Sequence, residues 1–381
     1  MSKVVILGND HTNTLGLTQT LGRTGFYVIV LMWGEKTGLV QSSKYCGEIY
    51  TASSPHACIN LLLKTDHGKD GTRIPIIAAC DSAALALEDN AKDLEIRFVH
   101  EHTQSNYSIH QLMEKDLQVR LAMEAGFHVP TSWSIEDIST LPLDLEYPCL
   151  IKPMVSCHGA KQDIRVCNNR TTLEKNLRTL KFTKQLILQQ YIDRDYEISI
   201  LGCALSNGHV IIPAIEDKLT LYPKYVGLEC LARVDLLEDE EIIQCIKNLI
   251  KITKYVGVFS VEMMHCKTDN KFYFTEINLR NDGANSFVYK FGVNLPLNHI
   301  EDLTGKQITS FNDYAPGYYI WDMHHFQSFI HQDISFSQWI KDICISKGFL
   351  TFFRDDIKPF FRQYSNMLLR KLHLYSNESY S

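Results

Sequence analysis

The sequence predicts an α/β unit followed by α+β units: a parallel sheet first, then a β-rich region built from hairpins. Three observations predict this. Apolar strand-type runs alternate with helix-type stretches over the first hundred residues, the pattern of a parallel sheet with helices on both faces. From residue 147 the runs become short, alternating and separated by turns, as in paired antiparallel strands. The 381 residues, 45% hydrophobic and 22% charged, suffice for two or three packed domains.

Val4 to Leu7 is a buried-type strand ending at Gly8. Leu15, Leu17, Thr18 and Leu21 mark one side of the helix after it, and Gly25 is placed to cap that helix. Tyr27 to Met32 and Ile74 to Ala79 are further strands, and Asp81 is expected to N-cap a helix over Ser82 to Asn90. Ile109 to Ala125 reads as one amphipathic helix ending at Gly126, so a boundary falls near residues 105–110. Strands are expected at 147–153, 163–166, 186–191, 197–205 and 210–215, with a helix at 239–255. A hairpin of Phe259 to Met264 with Phe272 to Asn278 turns at Thr268-Asp269-Asn270. These readings divide the chain into 1–108, 109–205, 206–310 and a C-terminal helical extension at 311–381.

Charge and cysteine usage exclude several classes. The net charge is -6 without a basic block, so a nucleic-acid partner is not expected. The eleven cysteines include no C-x-x-C pair, which argues against a disulfide framework or zinc site and for reduced thiols. The opening MSKVVILGND lacks the features of a signal peptide, and no apolar run is long enough to span a bilayer. A cytoplasmic protein without a membrane partner is expected. Gly8-Asn9-Asp10-His11 does not supply G-x-G-x-x-G, so a nicotinamide dinucleotide is not expected either.

The strongest chemical signal is the hairpin. Strand side chains alternate faces, so Glu276 and Asn278 share one face, and Glu262 on the partner strand can meet it. Two carboxylates and an amide oxygen are hard ligands suited to Mg²⁺, which completes its shell with water and substrate phosphates. Arg280, two residues on, offers a planar fork for phosphate or carboxylate. The competing reading, a solvated hairpin face, does not account for the E-x-N-x-R run with an acid opposite. A second signal is YPCLIKP at 147–153: Lys152 ends an apolar strand, and a turn with Ser156, Gly159, Ala160 and Lys161 follows. Amides of such a turn can face phosphate oxygens, although no P-loop motif occurs. A third is Gln189, Gln190, Tyr191 and Ile192, a polar hinge after an apolar strand that can meet a flat heteroaromatic base, with Glu197 beyond it able to accept from a ribose diol. Alone, the hinge is only an amphipathic strand pair.

Together with Glu114-Lys115-Asp116, these signals resemble the ATP-grasp superfamily, in particular its carboxylate–amine ligase branch containing D-aspartate ligase, related to carbamoyl phosphate synthetase and biotin carboxylase. The likeness covers nearly the whole chain. It includes Lys115 followed by Gly126-Phe-His-Val-Pro130, the E-I-N-L-R run at 276–280, Gly292-Val-Asn-Leu-Pro296 and Asp355-Asp-Ile-Lys-Pro359. The resemblance implies an ATP-grasp fold behind an N-terminal Rossmann-like (pre-ATP-grasp) sheet. It implies that Lys115 and Lys152 contact ATP phosphates, that Ser156 and Gly159 belong to the phosphate loop, and that Gln189 to Ile192 hold adenine and Glu197 the ribose. Glu262, Glu276 and Asn278 then bind Mg²⁺ (or Mn²⁺), Arg280 steadies the transferred phosphate or the substrate carboxylate, and Lys218 reaches a phosphate. The implied cofactors are ATP and Mg²⁺. The implied partners are a small carboxylate and an amine, with a homodimer as an option. Two departures are the glycine-poor loop and Gln189 where relatives often carry Glu. The rival readings are a phosphotransferase, a ligase with a thiol or bicarbonate acceptor, and a nucleotide-binding regulator without turnover.

Overall fold

The computed structural model describes residues 2–135, 141, 145–153, 165–179, 186–223 and 227–378. The first strands are β1 (Lys3–Asn9), β2 (Tyr27–Trp33), β3 (Cys46–Thr51), β4 (Ile74–Ala78) and β5 (Phe98–His100). They form a parallel sheet in the order β3-β2-β1-β4-β5. β1 and β2 are buried on both faces, which is why Val4 to Leu7 and Val28 to Leu31 are continuous apolar runs rather than alternating ones. Strand order reverses between β1 and β4, so the loops after them, at residues 9–12 and 79–81, flank the crevice where open α/β sheets take ligands.

Two readings of this region change. Cys80, not Asp81, is the N-cap of the helix Asp81–Asp89, and the Asp81 carboxylate instead reaches Arg280. The expected helix 109–125 is two, Ile109–Leu112 and Lys115–Ala125. Glu88 accepts from the amides of Ile109 and His110 and so ties down the short helix, while Glu114 is extended and starts the second. That break puts Lys115 on the first turn of a helix packed against the large sheet. Gly126 caps this helix as expected, at φ +102°.

The remaining strands are β6 (His102–Thr103), β7 (Ser132–Ile135), β8 (Cys149–Pro153), β9 (Arg165–Cys167), β10 (Leu186–Gln190), β11 (Arg194–Ala204), β12 (Val210–Tyr222), β13 (Leu228–Leu236), β14 (Tyr255–Cys266), β15 (Phe272–Asn278), β16 (Gly317–Ile320) and β17 (Ser346–Phe349). A small antiparallel sheet, β7-β10-β8-β9, has its own core of Ile135, Ile151 and Leu188 with Leu173 and Leu177 from the helix Arg170–Thr179. A large sheet runs β15-β14-β11-β12-β13-β16-β17, with β6 on β14. One of its faces packs Ile198, Val261 and Ile277 against the helices Lys115–Ala125 and Glu240–Thr253. Gln118 is buried between them. Its amide donates to Ile277 O at 2.9 Å, and its oxygen accepts from Ile277 N at 3.3 Å.

Domain limits differ from those expected. The expected division at residue 205 falls between β11 and β12, which pair along their length; sheet membership changes instead between Gln190 and Arg194. The C-terminal extension is not purely helical, since β16 and β17 lengthen the large sheet. Among the described residues no helix is long and apolar enough to cross a membrane. The described cysteines are free thiols.

Candidate nucleotide and metal site

The hairpin β14–β15 sets Glu262 directly opposite Glu276, and Ser260 opposite Asn278. The four side chains therefore occupy two neighbouring rungs of one face. The same rung continues through Ser199 on β11 to Glu216 on β12, and the next carries Glu197 and Lys218. A polar strip thus crosses the middle of the sheet. It is confined to one face because the alternate residues, Ile198, Val261 and Ile277, fill the core behind it.

Lys218 organises the strip. Its Nζ lies 2.9 Å from Glu229 Oε1 and 3.2 Å from Glu262 Oε2, and its side chain is 6% exposed. Burial works against its charge, but Glu229, Glu262 and Glu216 together outweigh burial and hold the ammonium protonated. Lys218 is thus a buried counter-ion of the carboxylates. Glu262 is pushed up to about 7, chiefly by burial, with Glu276 adding to the rise and Lys218 opposing it. Glu216 is fully buried, and burial followed by repulsion from Glu229 holds its carboxyl well above the ordinary range.

Lys115 reaches Glu276 Oε2 at 3.5 Å from the outer edge. Arg280 is spread over three side chains and one backbone oxygen: Nε to Asp81 Oδ1 at 2.9 Å, one terminal nitrogen to Asp282 Oδ2 at 3.1 Å and Asn281 O at 3.2 Å, the other to Asn278 Oδ1 at 3.2 Å. Asp282 is half-buried, and the Arg280 charge holds it below the usual carboxylate range against the opposing effect of desolvation. Asp81 ties this group to the β4 end of the parallel sheet. So does Asn13, whose amide donates to both Ala79 O and Asn281 O at 2.8 Å.

These observations test the fit of a divalent ion. Two carboxylates facing each other across a rung, one of them starved of charge by burial, are a donor set that a hard cation would relieve. Asn278 is placed differently from expectation. Its Nδ2 points to Ser260 Oγ at 3.2 Å and Glu262 Oε1 at 3.4 Å, and its oxygen faces Arg280, so ligation through oxygen needs the amide turned over. Among the described residues no group of three or more His, Cys, Asp or Glu is arranged to hold a metal. Glu262 and Glu276 are thus the two carboxylates that would hold Mg²⁺, with phosphate and water completing its shell.

The hinge lies between the two sheets. Gln190 N donates to Thr131 O at 2.8 Å, and the Gln189 amide nitrogen donates to Ser132 Oγ at 2.8 Å. Tyr191 and Ile192 connect β10 to β11, with Ile192 buried. Lys152 pairs with Ile187 and Leu150 with Gln189 in the ladder of β8 and β10. The Lys152 side chain, and Ser156, Gly159, Ala160 and Lys161, lie outside the described residues. Glu197 is held by an ion pair to Arg194. Sequence reasoning missed Asp282, Ser260, Glu229 and Asp81 as members of the site. Asp282 continues the alternation of Glu276, Asn278 and Arg280 and was findable on that ground; Glu229 carries no local signal, because only strand pairing brings it to Lys218.

Comparison with known proteins bears on the fold. The sequence profile of the ATP-grasp domain matches residues 120–286. A formate-dependent phosphoribosylglycinamide formyltransferase from a Nitratiruptor species is 30% identical over 155 residues, 39% of this chain and 38% of that protein. The chain thus spans well under half the length of this curated relative. The N5-carboxyaminoimidazole synthetase structure from Staphylococcus aureus superposes with a TM-score of 0.66 at 15% identity, covering 87% of this chain and 86% of that one. Its ADP complex gives 0.62 at 18%, covering 83% and 81%. The L-amino acid ligase of Bacillus licheniformis gives 0.56 at 15%, covering 80% and 74%. The chain has the ATP-grasp fold behind an N-terminal five-stranded parallel sheet, and residues 120–286 are its ATP-grasp domain.

Proposed function

We propose that the chain is an ATP-dependent ligase that activates a small carboxylate and joins it to an amine. The observation that carries this is the opposed pair Glu262 and Glu276 beside Arg280, at the edge of a sheet joined by a polar hinge to a small second sheet. An ADP complex among the structural neighbours, the name L-amino acid ligase of another, and the formate-dependent relative support the nucleotide, the amine and the small acid respectively.

In the first step an oxygen of the substrate carboxylate attacks the γ-phosphorus of ATP, and the bond to the bridging oxygen of ADP breaks. In the second, the amine nitrogen attacks the acyl carbon and inorganic phosphate leaves; the nitrogen loses a proton and an amide remains. Bound Mg²⁺ supplies positive charge to the phosphate oxygens. Arg280 adds a fixed guanidinium beside them, already oriented by Asp81 and Asp282, so little reorganisation is needed as charge moves. Lys115 and Lys152 hold phosphate oxygens, Gln189 to Ile192 receive the adenine, and Glu197 the ribose. The small sheet keeps water from the acyl phosphate, and Ser156 and Gly159, outside the described residues, are assigned to phosphate binding.

The test is ADP release driven by acid–amine pairs. Glu276→Ala and Lys152→Ala are each expected to lower it by a factor on the order of 10² or more. Full turnover in both variants would remove the site assignment. Labelled γ-phosphate appearing in an organic product rather than as inorganic phosphate would make the protein a phosphotransferase.

A further inference from the structure

A cavity of about 550 Å³ lies where the C-terminal ends of β1 and β2 meet the C-terminal extension. This is the size of a small-molecule site. Its polar wall is formed by His11, Thr12, His324 and Gln327, its apolar wall by Leu39, Met323, Leu350 and Met367, and Trp321 stands between them.

Three features of the wall select a ligand. Asp10 and Asp322 line the cavity with Glu35 at its rim, and no lysine or arginine is among the lining residues. Asp322 Oδ1 and Gln363 Oε1 are buried oxygens without a hydrogen-bond partner, so they call for a donor. His324 Nδ1 lies 3.1 Å from Glu229 O. A carbonyl only accepts, so Nδ1 carries the proton and Nε2 is left as an acceptor. Burial keeps both imidazoles below their ordinary pKa, and His324 adds to that effect on His11, so they are neutral acceptors near pH 7. A second cavity is lined by Arg23, Lys290, Lys347 and Arg354 together with Asp355, which pairs with Arg23.

The acceptor-lined cavity is coupled to the carboxylate strip. His324 is held by the backbone of Glu229, whose side chain holds Lys218, which in turn holds Glu262. Trp321 lies beside the buried Glu216 and packs against Gly283, where an added Cβ would come within 2.8 Å of the indole.

We propose that this cavity is the acceptor subsite, taking a primary amine with an apolar or aromatic arm: the ammonium against the acceptors of His324, Asp322 and Gln363, the arm against Met323, Met367 and the Trp321 ring. This rests on the ligase reading.

The test uses the full chain and two matched probes, 2-phenylethylamine and phenylacetate, titrated by calorimetry, with ATP–Mg²⁺ affinity measured on the same samples. Wild type is expected to bind the amine at least tenfold tighter than the acid. Met367→Arg, which puts a cation in the apolar wall, is expected to lose the amine at least tenfold with ATP affinity kept. His324→Phe, which keeps the ring beside Trp321 but removes Nε2, is expected to weaken the amine severalfold. Preference for phenylacetate, or amine affinity unchanged in both variants, would overturn the assignment. Amine binding by a protein with no affinity for ATP would remove the ligase reading, and the acceptor role with it.

Discussion

Glu262 concentrates the electrostatics of the site. Its carboxyl is raised in the folded chain to about 7 from an ordinary 4.5. The stability linked to it is therefore complete below pH 4.5 and is lost as pH rises through about 7. Melting temperature between pH 5 and 8 is expected to fall more steeply in wild type than in Glu262→Gln; parallel curves would show that the group titrates normally. Lys218 is the counterweight. Lys218→Met leaves Glu229, Glu262 and Glu216 facing one another without a cation, at a cost of about 3–5 kcal/mol in urea unfolding. Adding Glu229→Gln should recover part of that loss. Arg280→Lys keeps the charge and discards the fork that joins Asp81, Asp282 and Asn278. ADP release is expected to drop at least about tenfold with ATP affinity near wild type, because the fork acts on moving charge. A matching loss of ATP affinity would instead make Arg280 a ground-state binding residue.

At the scale of elements, the site depends on how a helix is fastened behind the hairpin. Gln118 satisfies both backbone groups of Ile277, the residue between Glu276 and Asn278. Gln118→Leu leaves a buried N–H and C=O unpaired and should cost roughly 1–3 kcal/mol. It should also weaken ADP release more than a core change remote from β15, such as Ile59→Val. The helix itself was legible from its periodicity and from Gly126, but the break before Lys115 was not. The Glu88 carboxylate, 21 residues away, holds the start of the short helix through the Ile109 amide, and Glu114 is extended between the two helices. The hairpin was legible apart from the start of its first strand at Tyr255, because apolar residues alternating with Glu276, Asn278 and Arg280 can satisfy only one face assignment.

Over the whole molecule, the ends of the chain are latched together. Asp356 accepts from Gln19, Ser43 and the Lys44 amide, and Asp355 pairs with Arg23 and Lys44. The latch closes the C-terminal segment over the parallel sheet, and so helps to build the cavity assigned to the amine. Asp356→Ala is expected to raise hydrogen exchange in both the Ser43 region and the last helix. Exchange confined to the last helix would show that the latch is not shared. The hinge joins the small sheet, which has its own core, to the large sheet. ATP–Mg²⁺ is therefore expected to protect residues 189–192 from exchange more than the interior of β1, which is already closed.

By itself the sequence determined the parallel sheet, the hairpin, the face shared by Glu276, Asn278 and Arg280, and the resemblance to ATP-grasp proteins. The first three are written in local periodicity, which a pleated strand or a helix turns directly into direction; the resemblance rests on short motifs. Tertiary structure alone decided that Lys218 is a buried counter-ion, that Asp81 and Asp282 share Arg280, that β16 and β17 extend the sheet, and that an acceptor-lined cavity opens beside Trp321. These depend on which strands pair and which distant charges are left without water, and no local pattern of residues records either.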